Sequence, residues 1–182
     1  MNNTQKRELT ITQKKGINIQ DLILVGVLLA AGAVLKFFVG SIINLGGMKP
    51  NFIIAMYCLA IILIRPKVYE AAIIGVIAGG VCQFFPGTPY LNFASELVGA
   101  VVMSLIILLP MKIGKLDFTP GISTFISTII SGGVFVFFLL YVVKAAGATL
   151  AFFVPIVLGT ALINTIIVQL LYIPLKLALK RD

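Results

Sequence analysis

Residues Asn44–Asn51 read NLGGMKPN, a polar stretch between two apolar runs, one ending near Val39 and the next starting at Phe52. Gly46 and Gly47 open backbone angles closed to residues with a Cβ. Pro50 ends any helix before it and suits the first turn of the next. Two readings of this loop stand side by side: a lid over a small-molecule site, or a plain interhelical turn. The flanking runs decide the class. Of 182 residues, 60% are hydrophobic and 11% charged, and the mean hydropathy is +1.13. A soluble domain is about half apolar and a quarter charged. Several runs approach or reach the ~20 residues that cross a bilayer as a helix. The expectation is an all-α integral membrane protein with one domain.

Outward from the loop, the apolar runs fall at about Asp21–Ile43, Asn51–Ile64, Tyr69–Phe85, Tyr90–Leu109, Gly121–Val143 and Thr149–Leu177. This predicts a six-transmembrane-helix bundle over residues 21–177, with cytoplasmic tails at 1–20 and 178–182. Asp21 is a candidate cap for the first helix. Pro155 marks a kink or the true start of the last one. The second run is short, about 20 Å as a helix against a bilayer core of about 30 Å. The loop before it is therefore expected to dip below the membrane surface, which is tolerated only where backbone is buried in protein or lines a wet cavity.

The cations set the orientation. With both termini inside, the inner segments hold Lys6, Arg7, Lys14, Lys15, Arg65, Lys67, Lys112, Lys115, Lys176, Lys180 and Arg181, and the outer side keeps Lys36, Lys49 and Lys144. That is a positive-inside pattern. The net charge of +8 thus anchors the chain in the bilayer and does not point to nucleic acid. Cys58 and Cys82 lie inside apolar runs and read as buried reduced thiols. There is no histidine, and no cysteine spacing suits a metal. Neither a phosphate-binding loop nor an acid–base pair for catalysis is apparent, so no cofactor, metal or enzymatic activity is expected.

The polar residues within the runs carry the functional reading. Asn92 and Glu96 are four apart and share a helix face. Glu96 lies seven residues past Pro89, about 10 Å along a helix, where an ionisable residue is by default a functional-site candidate. A structural pairing of Glu96 with Lys36 is the alternative. Lys36 itself either snorkels to the surface or faces a polar cavity. Lys36, Lys49, Asn51, Gln83, Asn92, Glu96 and Tyr141 all fall towards the outer half, as a pocket open to the outside requires. Asn164 and Thr160, four apart in the last run, are placed to share a face towards it. A cation with a carboxylate suits a zwitterion: Lys36, Lys49 or Lys144 for a carboxylate, and Glu96 for an ammonium. The serines and threonines from Ser123 to Ser131 read mainly as packing. Phe135, Phe137, Phe138 and Tyr141 line a flat ligand or face lipid and core. In the first run, Gly26, Ala30 and Ala33 form a small-residue face that serves either packing within the chain or docking of a partner in lipid.

With these residues in view, the chain resembles the substrate-binding S components of energy-coupling factor transporters, and among them the tryptophan transporter family. The likeness rests on GVLLAAGAVL (Gly26–Leu35), GGMKPN (Gly46–Asn51), IRPKV (Ile64–Val68), the FPG turn (Phe85–Gly87) and Asn164, Thr165 and Tyr172-Ile173-Pro174 in the last helix. It covers most of the chain from about Asp21 to Leu177. Asn51 departs from the aspartate the family pattern leads one to expect. The resemblance implies a subunit in a bacterial cytoplasmic membrane that captures tryptophan outside. It also implies docking through Gly26, Ala30 and Ala33 on a transmembrane coupling protein, which two cytoplasmic ATPases drive, and rotation of the subunit within the membrane to release the cargo. An S component for a vitamin or other nutrient, and a small membrane channel or assembly protein, are the competing expectations.

Overall fold

The computed structural model describes residues 16–42, 50–86, 90–109, 111–114, 116–145 and 149–180. Among them are six helices: α1 (Ile19–Ile42), α2 (Phe52–Ile64), α3 (Val68–Cys82), α4 (Leu91–Ile106), α5 (Thr119–Phe137) and α6 (Leu150–Ala178). A π-helical turn, Phe138–Val142, prolongs α5. Each expected run is a helix with bounds within a few residues. The loop between α4 and α5 differs from expectation, because Lys112–Ile113 (β1) and Leu116–Asp117 (β2) pair as a minimal antiparallel hairpin. The Asp117 carboxylate then accepts from the Thr119 N–H at 3.0 Å, and the Thr119 hydroxyl accepts from Met111 N–H at 2.8 Å, which fixes the entry to α5.

Among the described residues, three helical stretches are long and apolar enough to cross a membrane: Ile19–Val39, Thr119–Val142 and Leu150–Ala178. The other three helices hold 13, 15 and 16 residues and cover only about 20–24 Å. The long helices turn apolar side chains outwards. On α6, Leu158, Leu162, Ile166 and Leu170 repeat every four residues and are all exposed, a stripe suited to lipid.

At the centre stands α2. Every residue from Phe52 to Leu63 is buried. A helix apolar on all faces is buried on all faces, and α2 packs against all five other helices. Glycines set the closest approaches. A Cβ at Gly32 would lie 3.0 Å from the Ile53 Cα, which seats α1 on α2. On α3, a Cβ at Gly75 would lie 2.6 Å from the Glu96 carbonyl oxygen, and one at Gly79 would lie 2.8 Å from the Phe93 Cα. This pair, four apart, lets the backbones of α3 and α4 touch.

The helix ends correct two expectations. Asp21 does not cap α1. Asn18 does, its side chain accepting from the Asp21 N–H at 2.8 Å while the Asp21 carboxylate accepts from the Asn18 N–H at 3.1 Å, a reciprocal box. Of the two readings of Pro155, a helix start is overturned, because α6 begins at Leu150 and carries both Pro155 and Pro174 inside it, the position a kink requires. Glu70, in the first turn of α3, accepts from Lys67 N–H at 2.7 Å and Ile17 N–H at 3.2 Å, tying the entry of α1 to that of α3. Near the same end, the Gln169 amide bonds Gly121 N–H at 2.9 Å and the Asp117 carbonyl at 3.0 Å, joining α6 to the entry of α5.

Candidate binding site

The up-and-down course of the helices brings the C-terminal parts of α1, α3 and α5 to one end of the bundle with the N-terminal parts of α2, α4 and α6. A cavity of about 280 Å³ opens there, near the lower bound of small-molecule sites at about 300–1,000 Å³. Lys36, Asn51, Asn92, Ser95 and Glu96 line one wall, from α1, α4 and the entry to α2. Phe135, Val136, Leu139, Phe153, Ile156 and Val157 line the other, from α5 and α6. Thr128, Ser131 and Thr160 lie deepest along those two helices. The result is one charged wall facing one apolar wall.

The charged wall is closely built. Glu96 is 1% exposed and Lys36 is 8% exposed. The Asn51 amide donates to the Glu96 carboxylate at 2.6 Å, and Ser131 donates to its other oxygen at 3.4 Å. Cys82 sits between the charges, its Sγ 3.7 Å from the Lys36 Nζ and 3.8 Å from the Asn51 Nδ2. The Lys36 ammonium also lies 5.0 Å from the Phe85 ring centroid, a cation–π contact. Neutral groups therefore link the ammonium to the carboxylate, and both charges stand on the same cavity wall. Asn51 spends its amide on Glu96 and makes no side-chain cap for α2. Gly75 and Gly79 fix the depth of this wall, because they bring α3 against the backbone of α4 from Asn92 to Leu97. On the inner side, the Tyr57 hydroxyl occupies the notch that Gly99 leaves, where Ser131 also packs.

Lys36, Asn51, Asn92 and Glu96 thus come together, with Phe135 and Thr160 on the facing helices, whereas Asn164, Gln83 and Tyr141 lie off the cavity. Asn164 is buried behind the wall and donates to the Asn51 carbonyl at 3.1 Å, so it holds Asn51 without lining the cavity. Gln83 is exposed and works as a clamp. Its amide nitrogen donates to the Gly79 carbonyl at 2.9 Å, and its oxygen accepts from Tyr90 N–H at 3.3 Å, joining the end of α3 to the start of α4. Tyr141 is 61% exposed and packs on Phe137, with ring centroids 5.3 Å apart, over a separate apolar depression on the outer face of α5 and α6. Lys49 and most of the NLGGMKPN loop lie outside the described residues. On α1, Gly26 and Ala30 are exposed and Ala33 half-buried. A Cβ at Gly26 would meet nothing within 4 Å. The face they form points away from the bundle.

Sequence reading passed over Ser95 and the apolar residues of α6, took Thr128 and Ser131 mainly for packing, and took Cys82 for a small buried hydrophobe. A signal for most of them was present. Thr128, Ser131, Gly132, Phe135 and Leu139 recur at three- and four-residue steps, as do Phe153, Ile156, Val157 and Thr160, and each series marks one helix face. Nothing in the sequence indicates that these faces meet.

Comparison with known proteins identifies the family. Residues 18–180 match the family model described as "Tryptophan transporter TrpP". A "Probable tryptophan transport protein" of Bacillus subtilis (strain 168) is 30% identical over 166 residues, covering 90% of this chain and 94% of the relative. A protein of the same description from Clostridium acetobutylicum is 32% identical over 169 residues, covering 90% and 96%. No solved structure shows a significant match. With nearly its whole helical part matched, the chain belongs to the tryptophan transporter family.

Proposed function

We propose that the protein is the membrane-embedded substrate-binding subunit of an energy-coupling factor importer and that it captures tryptophan in the cavity between α1, α2, α4, α5 and α6. The observation that carries this reading is the pairing of two buried opposite charges, Lys36 and Glu96, on one wall with an apolar wall opposite. Ionisable side chains inside a membrane protein are costly and are kept for function. A zwitterionic amino acid with a flat apolar side chain matches both walls. Its carboxylate meets Lys36, its ammonium meets Glu96 with Asn51 and Asn92 beside it, and its ring lies along Phe135, Val136, Phe153 and Val157.

The six helices cross the membrane with both termini in the cytoplasm, as the cation distribution supports, and the cavity then opens outwards. The outward small-residue face at Gly26, Ala30 and Ala33 suits close docking of a transmembrane coupling protein. Two cytoplasmic ATPases acting through that protein drive uptake.

The protein has no Trp, so ligand indole fluorescence is read against Tyr alone. Saturable, stoichiometric binding of tryptophan to the detergent-purified protein, displaced by indole compounds only, is the expected result. Tight binding of a vitamin in its place would keep the transporter class and sink the ligand. A folded protein that binds no small nutrient would sink the reading altogether.

A further inference from the structure

The deep end of the cavity holds a polar group that the zwitterion leaves unused. Thr128, on α5, is 1% exposed and lines the cavity. Its hydroxyl has no hydrogen-bond partner among the described residues. Thr124, one turn earlier on α5, shares this state but does not line the cavity. A helical threonine ordinarily returns its hydroxyl to a carbonyl one turn back, as Ser123 on the same helix does to the Thr119 carbonyl. A buried hydroxyl without a partner is destabilising, and natural structures keep few of them without a reason.

The surroundings narrow that reason. Thr128 sits one turn below Ser131 and Gly132, on the face of α5 that continues upwards into Phe135, Val136 and Leu139. Gly132 closes this part of the cavity, because a Cβ there would lie 2.7 Å from Val157 of α6. Ser131 is already engaged with Glu96. Thr128 is therefore an unengaged hydroxyl at the foot of the apolar wall, on the same helix face as the side chains proposed to hold the ring.

We infer that Thr128 accepts a hydrogen bond from an N–H carried by the ring of the ligand, and so selects an indole over a ring of the same shape without a donor. The inference rests on the tryptophan reading of the cavity and adds to it the group that sets ring specificity. A site built to bond a substrate N–H rejects the analogue lacking it strongly, because its own polar group is then left buried and unpaired.

The test compares tryptophan with benzothienylalanine, in which ring sulfur replaces the indole N–H at nearly constant shape, by calorimetric titration of the wild-type protein and of Thr128→Val and Thr128→Ser. Wild type is expected to prefer tryptophan by about tenfold or more. Thr128→Val should bind the two ligands within about twofold of each other, and Thr128→Ser, which keeps the hydroxyl, should retain the preference. Equal wild-type affinity for both ligands would overturn the inference while leaving tryptophan capture intact, and this comparison needs no variant to fold. A preserved preference in Thr128→Val would overturn it equally. Absence of tryptophan binding by the wild type would instead sink the reading of the cavity, and the inference with it.

Discussion

Glu96→Gln is the sharpest perturbation of the charged wall, because it removes a charge while preserving shape. In the wild type the carboxylate accepts from Asn51 at 2.6 Å and from Ser131 at 3.4 Å. The Gln carbonyl can keep the Asn51 bond, and its NH₂ can donate to the Ser131 oxygen once that hydroxyl rotates. The fold should therefore survive, with little change in Tm. What is lost is the anionic partner of the ligand ammonium. A hydrogen bond to a charged group contributes about 1.5–3 kcal/mol, so Kd for tryptophan should rise by about 10- to 150-fold. Indole propionate, which has the ring and carboxylate without the amine, supplies the second leg of a double-mutant cycle. Wild type should prefer tryptophan over it, and in Glu96→Gln that preference should collapse while indole propionate itself binds no worse. Equilibrium titration of both ligands on both proteins gives the coupling directly. Equal losses for the two ligands would refute the reasoning, since Glu96 would then serve structure and not ammonium recognition.

Three further outcomes follow from the same geometry. Lys36→Met keeps the aliphatic stem and removes the ammonium, so tryptophan should bind about 10- to 150-fold more weakly while tryptamine, which lacks a carboxylate, is unaffected in the same titration. Gly75→Ala places a methyl 2.6 Å from the Glu96 carbonyl and 2.8 Å from the Leu97 Cα. Backbone there cannot give way cheaply, so a cost of about 1–3 kcal/mol should lower Tm and weaken binding together, whereas Gly26→Ala, which meets nothing, should change neither. Glu70→Ala frees the Lys67 and Ile17 N–H groups at the end of the bundle away from the cavity. It should cost about 1–2 kcal/mol of stability, seen as a lower Tm with Kd unchanged.

The helices were legible because apolar periodicity and turn residues are local properties. Pro66, Pro86 and Pro120 all punctuate the structure where they punctuate the sequence. Half of the site was legible for the same reason: Asn92 and Glu96 declare a shared face by their spacing alone, and a carboxylate in an apolar run is conspicuous. Gln83 and Tyr141 were misplaced because polarity near a helix end has two uses. Gln83 meets the hydrogen-bonding needs of a helix end and a neighbouring turn, and Tyr141 sits amphipathically at an exposed edge, while neither points inwards. Thr128 was discounted because hydroxyls in apolar helices usually satisfy themselves. Its unpaired state exists only once α5 is packed against α6. Cys82 was read as a hydrophobe because nothing near it in sequence carries charge. Lys36 and Asn51 reach it only through the packing of α1 and α2 beside α3.

The central helix accounts for where the charges can be. From Phe52 to Leu63, α2 is buried on every side and carries no acidic or basic side chain, so no charged wall can form along its length. The site can begin only where α2 ends. Asn51 occupies that end with an extended backbone, φ −92° and ψ 90°, and its amide points across to Glu96 in place of folding back onto the helix. The first N–H groups of α2 are then left without a side-chain cap, and they give that end a partial positive charge. Lys36 stands on the same side, 3.7 Å from the Cys82 sulfur that also touches Asn51. In the proposed binding mode, a carboxylate near Lys36 meets both an ammonium and a helix N-terminus, while the ammonium of the same ligand meets Glu96 beyond Asn51. Asn51 stands between the two charges, bonded to Glu96 directly and to Lys36 only by way of the Cys82 sulfur. Asn164, bonded to its backbone, holds that divider in place from behind. A residue at this position with a negative charge would sit beside Glu96 and repel it, and Asn51 supplies the same shape without that repulsion.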